Sequence, residues 1–121
     1  MTVVPLRGEI WFAQMPQDPP GKGRRPVIVV SLDGRNRNER ANTVLVIPLS
    51  TSIHRSGLPT NLLLTTGETG LAEDSIALAH EITALRKETL IEPRGALRRI
   101  SNTRICELAR MVELSMGCVR V

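Results

Sequence analysis

Gly23-Arg24-Arg25-Pro26-Val27-Ile28-Val29-Val30-Ser31 is the stretch on which the fold turns. Four consecutive β-branched apolar residues directly after a proline read as a short strand buried on both faces. Pro26 has a fixed φ and no N–H, which suits the first position of a strand, and it biases Arg25 toward extended geometry. Arg25 is thereby mounted on a stiff element, with a planar, always-charged, five-donor group of the kind that grips phosphate. The plainer reading, a loop arginine that only solvates a strand end, stands on this motif alone with equal weight.

Short apolar runs with turn chemistry between them flank this strand. Gly8–Ala13 reads as a first strand, and a Pro/Gly-rich loop from Pro16 to Gly23 follows, too long for a tight hairpin. After the polar turn Asp33–Asn38 come a strand at Thr43–Ile47, another at Asn61–Thr65 and a fifth at Asp74–Ala79. Pro48 interrupts the third run and predicts a bulge or an edge there. Ala84–Leu90 reads as a short helix, and Ile91–Leu97 as a turn or brief strand. From Asn102 the apolar spacing turns helical, with Ile105, Leu108, Val112 and Met116 on one face and Ala109 beside them. Ser101 or Asn102 suits the N-cap and Gly117 the C-terminal stop. The expected architecture is mostly β with a C-terminal helix, a small, strongly curved sheet or barrel carrying one helix, as a single domain over residues 1–121.

The chain has 121 residues, formal charge +4 and a pI near 10, which favours an acidic partner. Fourteen of its sixteen basic residues are arginine, the exceptions being Lys22 and Lys87. Seven basic residues (Lys22, Arg24, Arg25, Arg35, Arg37, Arg40 and Arg55) face only Asp33 and Glu39 between Gly21 and Arg55. Such an arginine-rich zone beside a strand mouth points to a nucleic-acid surface. Trp11 and Phe12 are the sole aromatic residues, so contact through stacked bases on several rings is excluded. Cys106 and Cys118 have neither CxxC spacing nor metal partners and read as reduced thiols. No leader and no apolar run of membrane-span length is expected, which places the protein in the cytoplasm, away from membranes.

Val46-Ile47-Pro48-Leu49-Ser50-Thr51 adds two adjacent hydroxyls about twenty residues after Arg25. Arg7-Gly8-Glu9-Ile10-Trp11, the Arg25-Pro26 strand, Ile47-Pro48-Leu49-Ser50-Thr51, Leu58-Pro59-Thr60, the Asp74–Ala79 strand and the closing helix, in this order, resemble the MazF/PemK (Kid) family of toxin endoribonucleases. The resemblance implies an SH3-like small barrel of the CcdB/PemK type that forms a homodimer. It implies sequence-specific, metal-independent cleavage of single-stranded RNA through the 2′-hydroxyl, leaving a 2′,3′-cyclic phosphate and using no cofactor. It also implies a cognate MazE-like antitoxin with a flexible, acidic C-terminal segment.

The family's essential arginine falls on Arg25 and its essential threonine on Ser50, with Thr51 at the adjacent hydroxyl position. Some members carry Arg-x-Asp-Gln where this chain has Leu78-Ala79-His80-Glu81, which sets His80 at the aspartate position as a candidate general base. The catalytic expectation is therefore Arg25, Ser50, Thr51 and His80. The RNA-contact expectation is Lys22, Arg24, Arg35, Arg37, His54, Arg55 and Glu81. The family's acidic residue ahead of the Arg-Pro strand has no evident counterpart, since Pro20-Gly21-Lys22 stands there. Two other classes keep the same architecture: a CcdB-like gyrase inhibitor, for which the Arg-Pro strand and the hydroxyl pair are not needed, and a non-catalytic nucleic-acid-binding barrel.

Overall fold

The computed structural model describes residues 3–55, 57–93 and 97–118. Six strands run β1 (Ile10–Ala13), β2 (Arg25–Val29), β3 (Thr43–Ser50), β4 (Asn61–Leu64), β5 (Ser75–Leu78) and β6 (Thr83–Arg86). Two single-turn helices, α1 (Asp33–Asn36) and α2 (Thr66–Thr69), interrupt them, and the long helix α3 (Asn102–Ser115) closes the chain. All pairings are antiparallel, in the order β1-β2-β3-β5-β4, with β6 on the free side of β3.

β3 organises the sheet. On one side it pairs with β2 throughout Val46–Pro48, while on the other it pairs with β6 over Thr43–Val46 and with β5 from Leu49. Leu45 N–H faces β2, donating to Ser31 Oγ at 3.1 Å, so by strand alternation Pro48 faces the opposite side. There β6 has ended and β5 has not begun, and the N–H that proline lacks has no ladder to join. The expected bulge or edge thus takes the form of a change of partner within one continuous strand.

The two faces of the β1–β2–β3 layer feed two cores, as the period of two dictates. Ile10, Ile28, Ile47 and Leu49 face β4, β5 and α3, packing with Leu62, Leu64, Ala77, Ile105 and Leu108. Trp11, Ala13, Val27, Val29, Val44 and Val46 face the other way, packing with Met15, Leu85 and Leu90. Arg25-Pro26-Val27-Ile28-Val29 is buried on both faces from Val27 onward, as the apolar run predicts. Among the described residues no ladder joins the two edge strands, β1 and β4. Past β6, however, Ile91 returns to β1 through an antiparallel bridge with Phe12, wrapping the second core.

The segment Ala84–Leu90 is not the short helix its composition suggests. It forms β6 and then a 3₁₀ turn, Lys87–Thr89, because Leu85 and Ala84 register against Val44 and Leu45 and bury Leu85 in the second core. Here tertiary pairing overrides a helix-favouring sequence. Within Ile91–Leu97, residues 94–96 lie outside the described residues.

α3 begins on Ser101, whose side chain accepts from Arg104 N–H at 3.3 Å. It ends in a Schellman turn: Gly117, at φ 82°, donates to Leu114 O and Cys118 to Glu113 O. Ile105 and Leu108 are buried, whereas Ala109 is exposed, and Met116 lies past the helix end, largely exposed; the partly buried Met111 and Val112 extend the stripe. Arg104 Nε reaches Glu68 Oε1 at 2.7 Å and its Nη1 reaches Glu107, tying α2 to α3. Hydrogen bonding from Arg104 holds the Glu68 carboxyl below its ordinary range, and Glu68 in turn raises Arg104.

At the opposite edge Gly8 has φ 89°, and a Cβ there lies 2.7 Å from Ile100 O, so only glycine fits. Gly8 O accepts from Ile100 N–H at 2.8 Å, joining the entry to β1 to the segment before α3. Among the described residues no helix is long and apolar enough to cross a membrane.

Candidate active-site groove

The long loop between β1 and β2 is built from two turns. Met15 buries its side chain in the second core, and Asp18 N–H donates to Met15 O at 3.1 Å. Pro19-Pro20-Gly21-Lys22 then reverses the chain, with Lys22 N–H on Pro19 O and Gly21 at φ 88°, as a type II turn requires. The loop folds back and delivers Asp18 to the start of β2. Asp18 Oδ2 lies 3.1 Å from Arg25 Nε, with the two side chains only 6 and 13 % exposed. Both atoms are withdrawn from solvent and lack the alignment of a hydrogen bond, so the contact is an ion pair. Lys22 Nζ adds an outer contact to Asp18 Oδ1 at 3.8 Å.

Arg25 is held from a second direction as well. Its Nη2 lies 3.2 Å from Glu81 Oε1, which also accepts from Gln17 Nε2 at 3.0 Å. Glu81 ends the 3₁₀ turn Ala79–Glu81 that follows β5. Two bonds fix that turn: Ala79 N–H donates to Thr60 O at 3.0 Å, and the Thr83 hydroxyl donates to Glu81 O at 2.7 Å. His80, on the same turn, has Nδ1 3.1 Å from Thr60 Oγ1 and Nε2 3.6 Å from Glu81 Oε2. The guanidinium is thus oriented by two carboxylates on different elements, with Nη1 left without a partner among the described residues.

Ser50 stands at the end of β3, paired with Ile76 of β5. Its Oγ accepts from Ser52 N–H at 3.1 Å, which leaves the hydroxyl proton available to donate. Gln17, Asp18, Lys22, Arg25, Ser50, Ser52, His54, His80 and Glu81 line one open groove of about 780 Å³. Arginine charge, a free hydroxyl donor and a carboxylate therefore meet on one polar surface, the set that phosphoryl chemistry asks for.

Of the residues expected from sequence, Arg25, Ser50, His80, Lys22, His54 and Glu81 are gathered in this groove. Thr51 is exposed directly after Ser50, and Arg24 is exposed directly before β2; neither lines it. Arg55 follows His54 in a 3₁₀ turn, and its side chain lies outside the described residues. Arg35 and Arg37 are elsewhere: Arg35 Nη2 donates to Thr43 Oγ1 at 2.7 Å, at the start of β3. Ser50 is at the end of that strand, about 23 Å away at the rise of an extended chain. Arg37 lines a separate cavity of about 700 Å³ with Val4, Arg86 and Lys87.

Asp18 and Gln17 were not foreseen. The signal for them was present, because Pro20-Gly21 predicts a reversal that carries the loop back toward Arg25. Among the described residues no three His, Cys, Asp or Glu side chains gather as for a metal ion.

Residues 6–116 match the family described as PemK-like, MazF-like toxin of type II toxin-antitoxin system. The chain is 30% identical over 120 residues to a probable endoribonuclease, MazF5, of Mycobacterium tuberculosis (strain ATCC 25618 / H37Rv), covering 99% of this chain and 100% of the relative. It is 26% identical over 113 residues to the endoribonuclease MazF of Staphylococcus epidermidis, covering 92% of this chain and 90% of the relative. Its fold superposes on a mycobacterial endoribonuclease solved in complex with its cognate antitoxin, with TM-score 0.70, 22% identity and coverage of 97% and 99%. The MazE-MazF structure (Form-II) of Deinococcus radiodurans gives TM-score 0.71 at 18% identity, covering 98% of this chain and 100% of the other.

Proposed function

The chain belongs to the PemK-like, MazF-like family of type II toxin–antitoxin toxins and is an endoribonuclease of that family; from that premise we propose that it cleaves single-stranded RNA by metal-independent transesterification, with Arg25 and Ser50 acting on the scissile phosphate. The observation that carries this reading is the placement of Arg25, clamped by Asp18 and Glu81, in the groove that also holds the Ser50 hydroxyl.

In the proposed reaction the 2′-hydroxyl loses its proton to an acceptor in the His80–Glu81 pair. The 2′-oxygen then forms a bond to phosphorus as the P–O5′ bond breaks, leaving a 2′,3′-cyclic phosphate and a 5′-hydroxyl that takes its proton from water. Arg25 offers fixed positive charge and paired donors to the non-bridging oxygens as negative charge grows there. Arginine stays protonated at any working pH, so its role is electrostatic. Ser50, whose oxygen is already occupied by Ser52 N–H, donates to the same phosphate.

Lys22 and His54, at the groove's rim, and the exposed Arg24 and Thr51 beside it are proposed to hold the flanking backbone. Arg35 and Arg37, at the far end of β3, are proposed to act outside the scissile step. A cognate antitoxin with an acidic tail competes for the same groove, the working unit is a homodimer, and the protein acts in the cytoplasm.

The experiment is cleavage of an unstructured RNA in EDTA, with product ends mapped for cyclic phosphate. Arg25→Ala is expected to slow cleavage at least ~100-fold, as removal of a transition-state donor does, and Ser50→Ala by ~10- to 100-fold. An Arg25→Ala protein that cuts as fast as the parent refutes the site.

A further inference from the structure

Glu81 sits where the Arg-x-Asp-Gln members carry glutamine, and it is a carboxylate facing the one arginine the reaction depends on. Oε1 is occupied by Arg25 and Gln17, whereas Oε2 accepts no hydrogen bond among the described residues and faces only His80 Nε2. The side chain is 24 % exposed and opens to the groove. The carboxylate is thus fixed through one oxygen and free through the other.

His80 is differently placed. In the tautomer that accepts the Thr60 hydroxyl on Nδ1, the ring proton sits on Nε2, the nitrogen that lies 3.6 Å from the carboxylate. The other tautomer sets the Nε2 lone pair against Glu81 Oε2, a repulsive arrangement. In the Nε2–H tautomer neither ring nitrogen holds an open lone pair for a substrate proton.

We propose that Glu81 Oε2 accepts the proton of the 2′-hydroxyl, and that His80, held by Thr60, is a positioning residue that orients this carboxylate. The inference rests on the transesterification reading above and names its base. The balance is simple. The 2′-hydroxyl proton moves to Glu81 as the 2′-oxygen bonds to phosphorus. The P–O5′ electron pair leaves with O5′, which takes a proton from water, and Glu81 returns its proton to solvent. Arg25 keeps Asp18 on Nε throughout, so its Nη groups can turn to the phosphate without losing their anchor.

The charged and titratable groups facing Glu81 are Arg25 of β2, Asp18 and Lys22 of the β1–β2 loop, His54 of the turn after β3, and His80 on its own turn. The acid limb of a pH–rate profile reads their joint effect, so variants rather than the limb alone assign it.

The test is single-turnover cleavage against pH, with RNA affinity measured separately by anisotropy. Glu81→Gln is expected to slow cleavage 100- to 10,000-fold with affinity within ~3-fold of the parent, and to abolish the acid limb. Formate added to Glu81→Ala is expected to restore at least ~10-fold, whereas a merely structural carboxylate shows no such rescue. His80→Gln and Thr60→Val are expected to slow cleavage by ~10-fold or less and to displace the acid limb. A His80→Gln loss as large as that of Glu81→Gln, without formate rescue, overturns the assignment in favour of the histidine. Cleavage by Glu81→Gln within ~3-fold of the parent, while Arg25→Ala is inactive, overturns it and leaves the transesterification reading standing. A parent protein without cleavage, or an active Arg25→Ala, removes that reading and this inference with it.

Discussion

Replacing Asp18 by asparagine isolates the buried half of the arginine clamp. The change keeps the side-chain shape and removes one charge, 3.1 Å from Arg25 Nε, in a side chain 6 % exposed. At an effective dielectric of about 20, the Coulomb attraction lost is about 5 kcal/mol. Most of that is offset, because the carboxylate was withdrawn from water to make the pair. Breaking a buried pair by removing one partner typically costs about 3–5 kcal/mol, since the other charge is left uncompensated. Glu81 still neutralises Arg25 from its second side, which puts the expectation below that range, at about 2–3 kcal/mol. In urea, with a slope near 1.5 kcal/mol/M, the midpoint falls by roughly 1.3–2 M at fixed protein concentration. Activity falls as well, by an expected 10- to 100-fold, because a loosened guanidinium loses its aim at the phosphate. The double variant with Arg25→Gln, which leaves no buried cation behind, is expected to recover at least ~1 kcal/mol relative to the sum of the single losses. A midpoint within about 0.3 M of the parent, with full cleavage activity, refutes the claim that Asp18 anchors Arg25 for its proposed catalytic role.

Two further outcomes follow from the packing around α3 and β1. Because hydrogen bonding from Arg104 holds the Glu68 pKa below the ordinary glutamate value of 4.5, this carboxylate contributes stability that is complete above that value and is lost as pH falls through its folded pKa. Glu68→Gln is expected to lower stability at pH 7 and to shrink the difference from the parent below pH 4.5, as followed by urea midpoints across pH. Gly8→Ala must place a methyl 2.7 Å from Ile100 O at a φ of 89°, and is expected to destabilise by more than about 2 kcal/mol, read as a lowered thermal midpoint.

The elements legible in the sequence are those whose pattern and partner agree. Val27, Ile28 and Val29 are buried wherever a strand at that place is laid down, and Ser101 and Gly117 bracket α3 by purely local chemistry. Arg25 and Ser50 were legible for the same reason: each sits where a proline-marked strand begins or ends. β6 was not, because Leu85 and Leu90 satisfy either a helix or a strand until Val44 and Leu45 choose between them. Asp18 escaped notice because its function lies in a fold-back of the loop, visible only once two turns are built in series. Glu81 was seen as a surface contact, since nothing local says that its turn points at Arg25 across 56 residues of chain.

At Pro48 β3 changes partner from β6 to β5, and the groove straddles that point. Arg25 belongs to the side built on β1 and β2, whereas Ser50 and Glu81 belong to the side built on β5. The Arg25–Glu81 contact therefore ties the start of β2 to the turn after β5, two elements that share one core. On the proposed mechanism a bound phosphate competes with Glu81 for the Arg25 guanidinium, so substrate occupancy and this internal tie are coupled.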